Sequence, residues 1–231
     1  MSRVHGVVTG AGGILGRAVV VEVVSQGHRV TAVGRAIEDV RPLEEAHPGT
    51  VVGEAADLTS PEAVDELWQR LDSRSEPIDF LVNVAGGYGG GTLVDSSPGD
   101  YRHLLGLNLD TAWWSCRAAA RRMRESGGGA IVNVAARSAL EGGAGSIAYA
   151  VAKAAVVKLT QVLSGELKQT GVRVNAVLPS LIDTPANRAA FSADRMAKAV
   201  APEAIARVIA FMCSQDAWPI SGAAIPVYGR S

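Results

Sequence analysis

The chain has 231 residues, 22 lysines and arginines against 23 aspartates and glutamates, and a formal net charge of −1. With 48% hydrophobic residues, one well-buried globular domain fits, whereas two domains would each be small. The near-neutral balance provides no basic face for nucleic acid or an anionic membrane surface.

Short apolar runs alternate with helix-length amphipathic segments from end to end. A strand over 4–9 leads through TGAGGILG (residues 9–16) into a helix over 14–26. Strands over 29–33 and 51–53, a helix over 61–74 and a strand over 78–83 follow. Helices over 98–107 and 109–125, a strand over 130–135 and a helix over 147–169 come next. The chain closes with a strand over 173–177, a helix over 202–214 and a strand over 224–227. Continuous apolar strands separated by helices predict a parallel sheet covered on both faces. Right-handed crossovers make this a Rossmann-type, doubly wound α/β sheet of about seven strands. No repeat or composition break marks a second unit, so residues 1–231 read as one dinucleotide-binding domain. The longest irregular stretch, 179–201, is long enough to carry a lid near 185–201.

Little else in the chain suggests other chemistry. Two cysteines, Cys116 and Cys213, are too few for a disulfide framework, and a reducing cytoplasm is the simplest home. Four scattered histidines show no paired ligand spacing, so no metal is expected. The first ten residues lack a signal peptide's apolar core, and no apolar run reads as long enough to span a bilayer.

The strand-to-helix loop is the first functional signal. Gly10, Gly13 and Gly16 provide a tight turn, close backbone approach and close helix–strand packing, and the helix opening at Ile14 and Leu15 offers free N–H groups to a diphosphate. The second strand tests which dinucleotide. An acid at its end would bind a ribose 2′-OH and repel a 2′-phosphate, and an arginine would accept the phosphate. This strand ends at Gly34, Arg35 follows, and no acid comes before Glu38. NADP(H) is therefore favoured over NAD(H).

These features, with "ADL" at 56–58, "NVAG" at 83–86, Asn108 in "LGLNLD", "YAVAK" at 149–153, "VNAVLPSLIDTP" at 174–185 and "ISGAAIPVYG" at 220–229, resemble the short-chain dehydrogenase/reductase family in its compact single-domain form. The resemblance implies a reductase in which Tyr149 is the general acid. Lys153, one helical turn away, would lower the phenol's pKa and hold the nicotinamide ribose. Asn108 would anchor a water that relays protons to Lys153. Asp57 and Leu58 would border the adenine, with Asn83, Ala85 and Gly86 beside it. Pro179, Ile182 and Thr184 would meet the nicotinamide end. Two departures stand out: Ile14 occupies the place of the loop's usual middle glycine, and Ser180 replaces the glycine that usually follows Pro179.

A third departure lies in the active site. The family's catalytic serine closes the fifth strand, in a pattern like IVNxSS. Reading forward from Ile131, and counting back thirteen residues from Tyr149, both give Ala136. The nearest hydroxyl is Ser138. Three readings stay open: Ser138 reaches in through a bend in the loop, the substrate does without the second donor, or the chain is a weakened member. A C=N substrate protonated at nitrogen is one that would do without it. "VAGGYGGG" (84–91) and "ALEGGAGSIAYAVAK" (139–153) are similar to quinonoid dihydropteridine reductases, which manage without that serine, and the same segments also resemble 3-oxoacyl-carrier-protein reductase-like proteins.

The leading expectation is thus an NADP(H)-dependent ketoreductase acting on a small carbonyl compound. The alternatives are a reductase of a quinonoid pterin or other C=N compound, and a nucleotide-binding sensor or subunit. Gly87, Tyr88, residues 137–142 and the lid would line the pocket, where Arg188 and Arg195 are candidates for an anionic substrate or plain solvated residues. By the same resemblance, the helices around 109–125 and 147–169 would pair subunits into a homotetramer or homodimer.

Overall fold

A computed structural model describes residues 4–74 and 77–230. Seven strands form one parallel sheet in the order β3-β2-β1-β4-β5-β6-β7: β1 His5–Thr9, β2 Arg29–Gly34, β3 Val51–Ala55, β4 Phe80–Asn83, β5 Gly129–Val134, β6 Val172–Pro179 and β7 Ala224–Val227. The order reverses between β1 and β4, so the crevice beyond their C-terminal ends is where a doubly wound sheet takes ligands.

Successive residues of each inner strand serve opposite faces. Val8, Val82 and Val132 join the core under α1 (Ile14–Ser25) and α9 (Pro202–Cys213). Val7, Leu81 and Ile131 join the core under α3 (Pro61–Asp72) and α5 (Thr111–Ser126). With both faces covered, the strands have no polar side, which is why they read as unbroken apolar runs. Ser60 caps α3 through its hydroxyl, accepting from Ala63 N at 3.2 Å. Ser97 caps α4 (Pro98–Leu105) in the same way, accepting from Asp100 N at 3.1 Å. Each helix then opens on a proline, whose missing N–H costs nothing there.

The structure departs from the sequence reading in four places. A helix, α2 (Ile37–Ala46), follows β2 although Pro42 lies inside it. Burial of Val40 and Leu43, and the Asp39 carboxylate accepting from Ala36 N at 3.0 Å, offset the proline's cost. Between α4 and α5 the chain makes a π-helical turn, Gly106–Asp110, in place of a break. The stretch over 179–201 is not irregular: it carries α7 (Pro185–Ala190) and α8 (Ala193–Met196). Its base is pinned by Asp183 N to Val200 O at 2.9 Å and Val200 N to Leu181 O at 2.8 Å. Lastly, α6 (Ile147–Glu166) is long and apolar enough to cross a membrane, contrary to the sequence reading. One face of α6 packs on the sheet through Ala152, Val156 and Val157, while Val151 and Val162 face outward.

Candidate active site at the carboxyl edge of the sheet

The loop between β1 and α1 is built by close backbone approach. Gly10 has φ +63°, and a Cβ on it would lie 2.7 Å from the backbone nitrogen of Ala85. A Cβ on Gly16 would lie 2.1 Å from the Gly10 carbonyl oxygen. The Gly13 N–H donates to that same oxygen at 3.0 Å and closes the turn. Gly13 then opens α1 with no side-chain cap and no acid in the first turn. The N–H groups of Ile14, Leu15 and Gly16 therefore lack intrahelical partners at the positive end of the helix dipole. This cradle fits a diphosphate. Ile14 in place of a glycine leaves it intact, because that side chain is 44% exposed.

The end of β2 is more crowded than its sequence suggests. A Cβ on buried Gly34 would lie 2.8 Å from the Ala36 carbonyl oxygen and 3.0 Å from the Asp39 Cβ. Arg35 is exposed beside it. The Asp57 carboxylate accepts from Thr59 Oγ1 at 2.7 Å and Thr59 N at 3.0 Å. Those bonds hold its pKa below the ordinary carboxylate range, with the Arg35 charge adding to them. Two neighbours of the loop were not singled out from sequence. Arg17 donates from Nε to the Gly12 carbonyl at 2.8 Å and from Nη2 to the Asp39 carbonyl at 3.0 Å. Asp39 packs its Cβ close to Gly12 and Gly34. Only α2, itself unforeseen, brings these groups together.

Beyond β4 and β5 the structure gathers Asn108, Lys153, Gly86 and Tyr149. Asn108, buried in the π-helical turn, accepts from Gly87 N at 3.1 Å and donates to the Gly87 and Leu104 carbonyls at 2.9 and 3.0 Å. A Cβ on Gly86 would lie 2.7 Å from Asn108 Oδ1 and 3.2 Å from Lys153 Nζ, so only glycine lets these groups converge. Lys153 is buried, and its Nζ donates to the Val134 carbonyl at 2.8 Å. Burial pulls its pKa down to about 8. The Nζ lies 5.9 Å from the centre of the Tyr149 ring. The expected lowering of the Tyr149 pKa is not found. Burial first, and the neighbouring Tyr88 second, push the phenol up to about 12. The reason is that the Lys153 hydrogen bond goes to Val134 and its charge is itself disfavoured by burial.

Ala136 is buried at the end of β5 in extended backbone, φ −160° and ψ 161°. Ser138 belongs to the 3₁₀ turn that follows, Arg137–Ala139, and its Oγ is buried without a hydrogen-bond partner. Arg137 pairs with Glu141 at 2.6 Å and stacks over the Tyr228 ring at 5.0 Å. Ser180 donates to the Tyr228 carbonyl at 3.0 Å, so the residue that replaces a glycine ties β6 to the C-terminal segment. Tyr88 is 71% exposed and meets the Tyr149 ring in a T-shaped contact, with centroids 5.3 Å apart.

The remaining predicted residues divide between the site and its scaffold. The Asn83 side chain turns inward, donating to Asn133 Oδ1 at 2.8 Å and to Cys116 Sγ at 3.2 Å; Asn133 donates in turn to Thr160 Oγ1 at 2.9 Å. This buried chain ties β4 and β5 to α5 and α6. Leu58 is buried in the core. Pro179 ends β6, Ile182 bridges to Val200, and the Thr184 hydroxyl caps α7 by accepting from Asn187 N at 3.1 Å. In the lid segment, Arg188 pairs with Asp183 at 2.6 Å, and Arg195 stacks on Phe191 at 4.1 Å. Among the described residues, no group of three or more His, Cys, Asp and Glu side chains is placed to hold a metal ion.

Known proteins resemble this chain in sequence and fold. The family model for short chain dehydrogenase matches residues 5–195. The chain is 33% identical to meso-2,3-butanediol dehydrogenase of Serratia marcescens, over 96% of this chain and 92% of that protein. It is 30% identical to D-threitol dehydrogenase of Mycolicibacterium smegmatis, over 96% and 90%. A solved short-chain dehydrogenase/reductase from Burkholderia xenovorans superposes with TM-score 0.92 at 32% identity, covering 98% of this chain and 95% of that one. An NAD(P)-dependent gluconate 5-dehydrogenase from Beutenbergia cavernae, solved with bound NADP at low occupancy, superposes with TM-score 0.90 at 30% identity, covering 99% and 96%. The chain belongs to the short-chain dehydrogenase/reductase family of NAD(P)-dependent oxidoreductases.

Proposed function

We propose that this chain is a cytoplasmic NADP(H)-dependent reductase of a small carbonyl compound, working as a homotetramer or homodimer. The observation that carries the reading is the convergence of Lys153 and Asn108 on Gly86, with the Tyr149 ring 5.9 Å from the lysine Nζ, beside an uncapped helix N-terminus suited to a diphosphate. Gly10, Gly13, Ile14, Leu15 and Gly16 hold the diphosphate, and Arg35, with Arg17 nearby, meets the 2′-phosphate. Asp57 and Leu58 border the adenine. Ala85 and Gly86 lie beside it, and Pro179, Ile182 and Thr184 hold the nicotinamide end. When bound, the nicotinamide supplies or accepts hydride.

The protein's own part is the proton. With its pKa pushed up to about 12, the Tyr149 phenol is protonated at neutral pH and ready to donate to the substrate oxygen as negative charge develops there. Lys153 places a positive charge near that phenol, and Asn108 links the lysine pocket to the Gly87 backbone. Ala136 provides no second donor to the oxygen, and the nearest candidate, the Ser138 Oγ, is buried with no hydrogen-bond partner. This favours, as a second reading, a conjugated C=N substrate protonated by Tyr149 alone.

NADPH oxidation across a panel of ketones, quinones and quinonoid pterins tests the reading. Turnover with a carbonyl compound that vanishes in Tyr149→Phe, with NADPH binding retained, is the expected result. NADPH binding with no turnover on any member of the panel would make the chain a nucleotide-binding sensor or subunit.

A further inference from the structure

Two glycine-rich loops frame the approach to Tyr149. One runs over 86–91 after β4, and the other over 142–145 before α6. They are stitched together by Gly91 N to Gly145 O at 2.8 Å and Ile147 N to Gly91 O at 3.3 Å. A Cβ on Gly91, Gly142, Gly143 or Gly145 would meet nothing within 4 Å, whereas Gly87 and Gly89 pack closely on Leu107 and Leu104, so the open space lies over 142–145 and at Gly91. Across 86–91, Tyr88 is the only residue that is not glycine. Its ring is held against Tyr149 with an interplanar angle of 68°, yet it stays 71% exposed.

From this we infer that Tyr88 is a substrate-contacting residue that selects for a flat, unsaturated ring next to the reducible bond. The inference rests on the reductase reading above and narrows its substrate class. A polyol-derived ketone must be recognised through its hydroxyl groups, which requires convergent donors and acceptors. Residues 86–91 and 142–145 have no amide or carboxylate side chain and no hydroxyl other than the Tyr88 phenol; the charged groups at their margins, Arg137 with Glu141 and Arg188 with Asp183, are paired with each other, the Ser138 Oγ is buried, and Ala136 removes a further hydroxyl from the strand end. What they present is an aromatic surface beside the proton donor, with room around it. Such a surface binds a planar ring by offset or edge contact. The T-shaped contact orients the Tyr88 ring beside the proton donor.

The test compares wild type, Tyr88→Phe and Tyr88→Ala with NADPH and two ketones, the bicyclic aryl ketone 1-tetralone and the acyclic acetoin. Tyr88→Ala is expected to raise KM for 1-tetralone about 3- to 10-fold more than KM for acetoin, while Tyr88→Phe keeps the wild-type preference. Equal KM changes for the two ketones would overturn the inference. So would a Tyr88→Phe variant that loses the preference as fully as Tyr88→Ala, because the hydroxyl would then be responsible. Saturation-transfer NMR of 1-tetralone with the protein and NADP⁺ gives a readout independent of turnover. Binding that is lost in Tyr88→Ala, without reduction of either ketone by wild type, would keep this inference and sink the reductase reading. Reduction of acetoin by a wild type that neither binds nor reduces 1-tetralone would do the reverse.

Discussion

At position 136 a methyl group stands where a hydroxyl would share the charge on a reacting oxygen. Its backbone suits the hydroxyl residue, because Ala136 lies in extended conformation, which serine adopts equally well. Deleting one such donor elsewhere costs about 10²–10³ in rate. If the missing donor limits ketone reduction, Ala136→Ser raises kcat by up to about 10²-fold; steady-state rates with NADPH decide it, and an unchanged kcat would show that the substrate never needed the second donor. Lys153 carries a second consequence. Its folded pKa of about 8 lies below its ordinary 10.5, so between those values the unfolded chain binds the extra proton and stability rises with pH. Below about pH 8 the full penalty applies, roughly 3 kcal/mol before local relaxation. Lys153→Met is therefore expected to stabilise the cofactor-free protein by roughly 1–3 kcal/mol at pH 7 and by little near pH 10.5. Urea denaturation at the two pH values checks this, and the same gain at both would exclude the burial penalty as its source. Neither the pull on Lys153 nor the rise at Tyr149 was legible in YAVAK. The spacing places both residues on one helix face, but the Val134 carbonyl that takes the lysine's hydrogen bond comes from a strand fifteen residues upstream of Tyr149.

Among the elements, legibility followed periodicity. The inner strands and the long helices were plain because their apolar patterns persist and are bounded by Gly, Pro and Ser caps. Helix α2 was hidden by Pro42 and by a composition with only Val40 and Leu43 buried, so tertiary packing overrode local preference. The π-helical turn at Asn108 adds one residue to a helix, and no sequence period announces it, although Asn108 itself was found. Missing α2 had a cost at the site, for α2 brings the Asp39 carboxylate and the Arg17 contact to the phosphate loop. The end of β2 therefore holds Arg35 and Arg17 beside two carboxylates: Asp39, which accepts from Ala36 N, and Asp57, whose pKa the Arg35 charge helps to lower. Arg35→Ala is expected to weaken NADPH binding about tenfold or more while changing NADH binding little, in line with a charge-assisted contact to phosphate. Fluorescence titration with both nucleotides measures it. Equal losses for the two would mean that Arg35 does not read the 2′-phosphate.

For the whole molecule, the unresolved element is the outer face of α5 and α6. Val151 and Val162 lie eleven residues apart on α6, three helical turns, and so share one side. Both are 52% exposed, and Trp113 on α5 is 48% exposed. Isolated exposed apolar residues need no explanation, and Val151 and Val162 flank the exposed Lys158 on this side of α6, but the oligomer proposed above would cover both valines. The same apolarity makes α6 long and apolar enough to cross a membrane, yet its inner face carries Lys153, Thr160 and Ser164 against the sheet. A lysine bonded to the Val134 carbonyl and a threonine bonded to Asn133 fix that face inside this fold, which leaves the outer side of α6. A second copy meeting it by two-fold symmetry would place the same helices against each other and bury both outer sides at once. Sedimentation velocity is therefore expected to give a mass two or four times the 23.9 kDa chain. The pair Val151→Asp and Val162→Asp should shift it toward the monomer, because a carboxylate at each position would be desolvated without a partner. A wild-type protein that sediments at the chain mass would show that this face works uncovered. An oligomer that survives both substitutions would place the interface elsewhere.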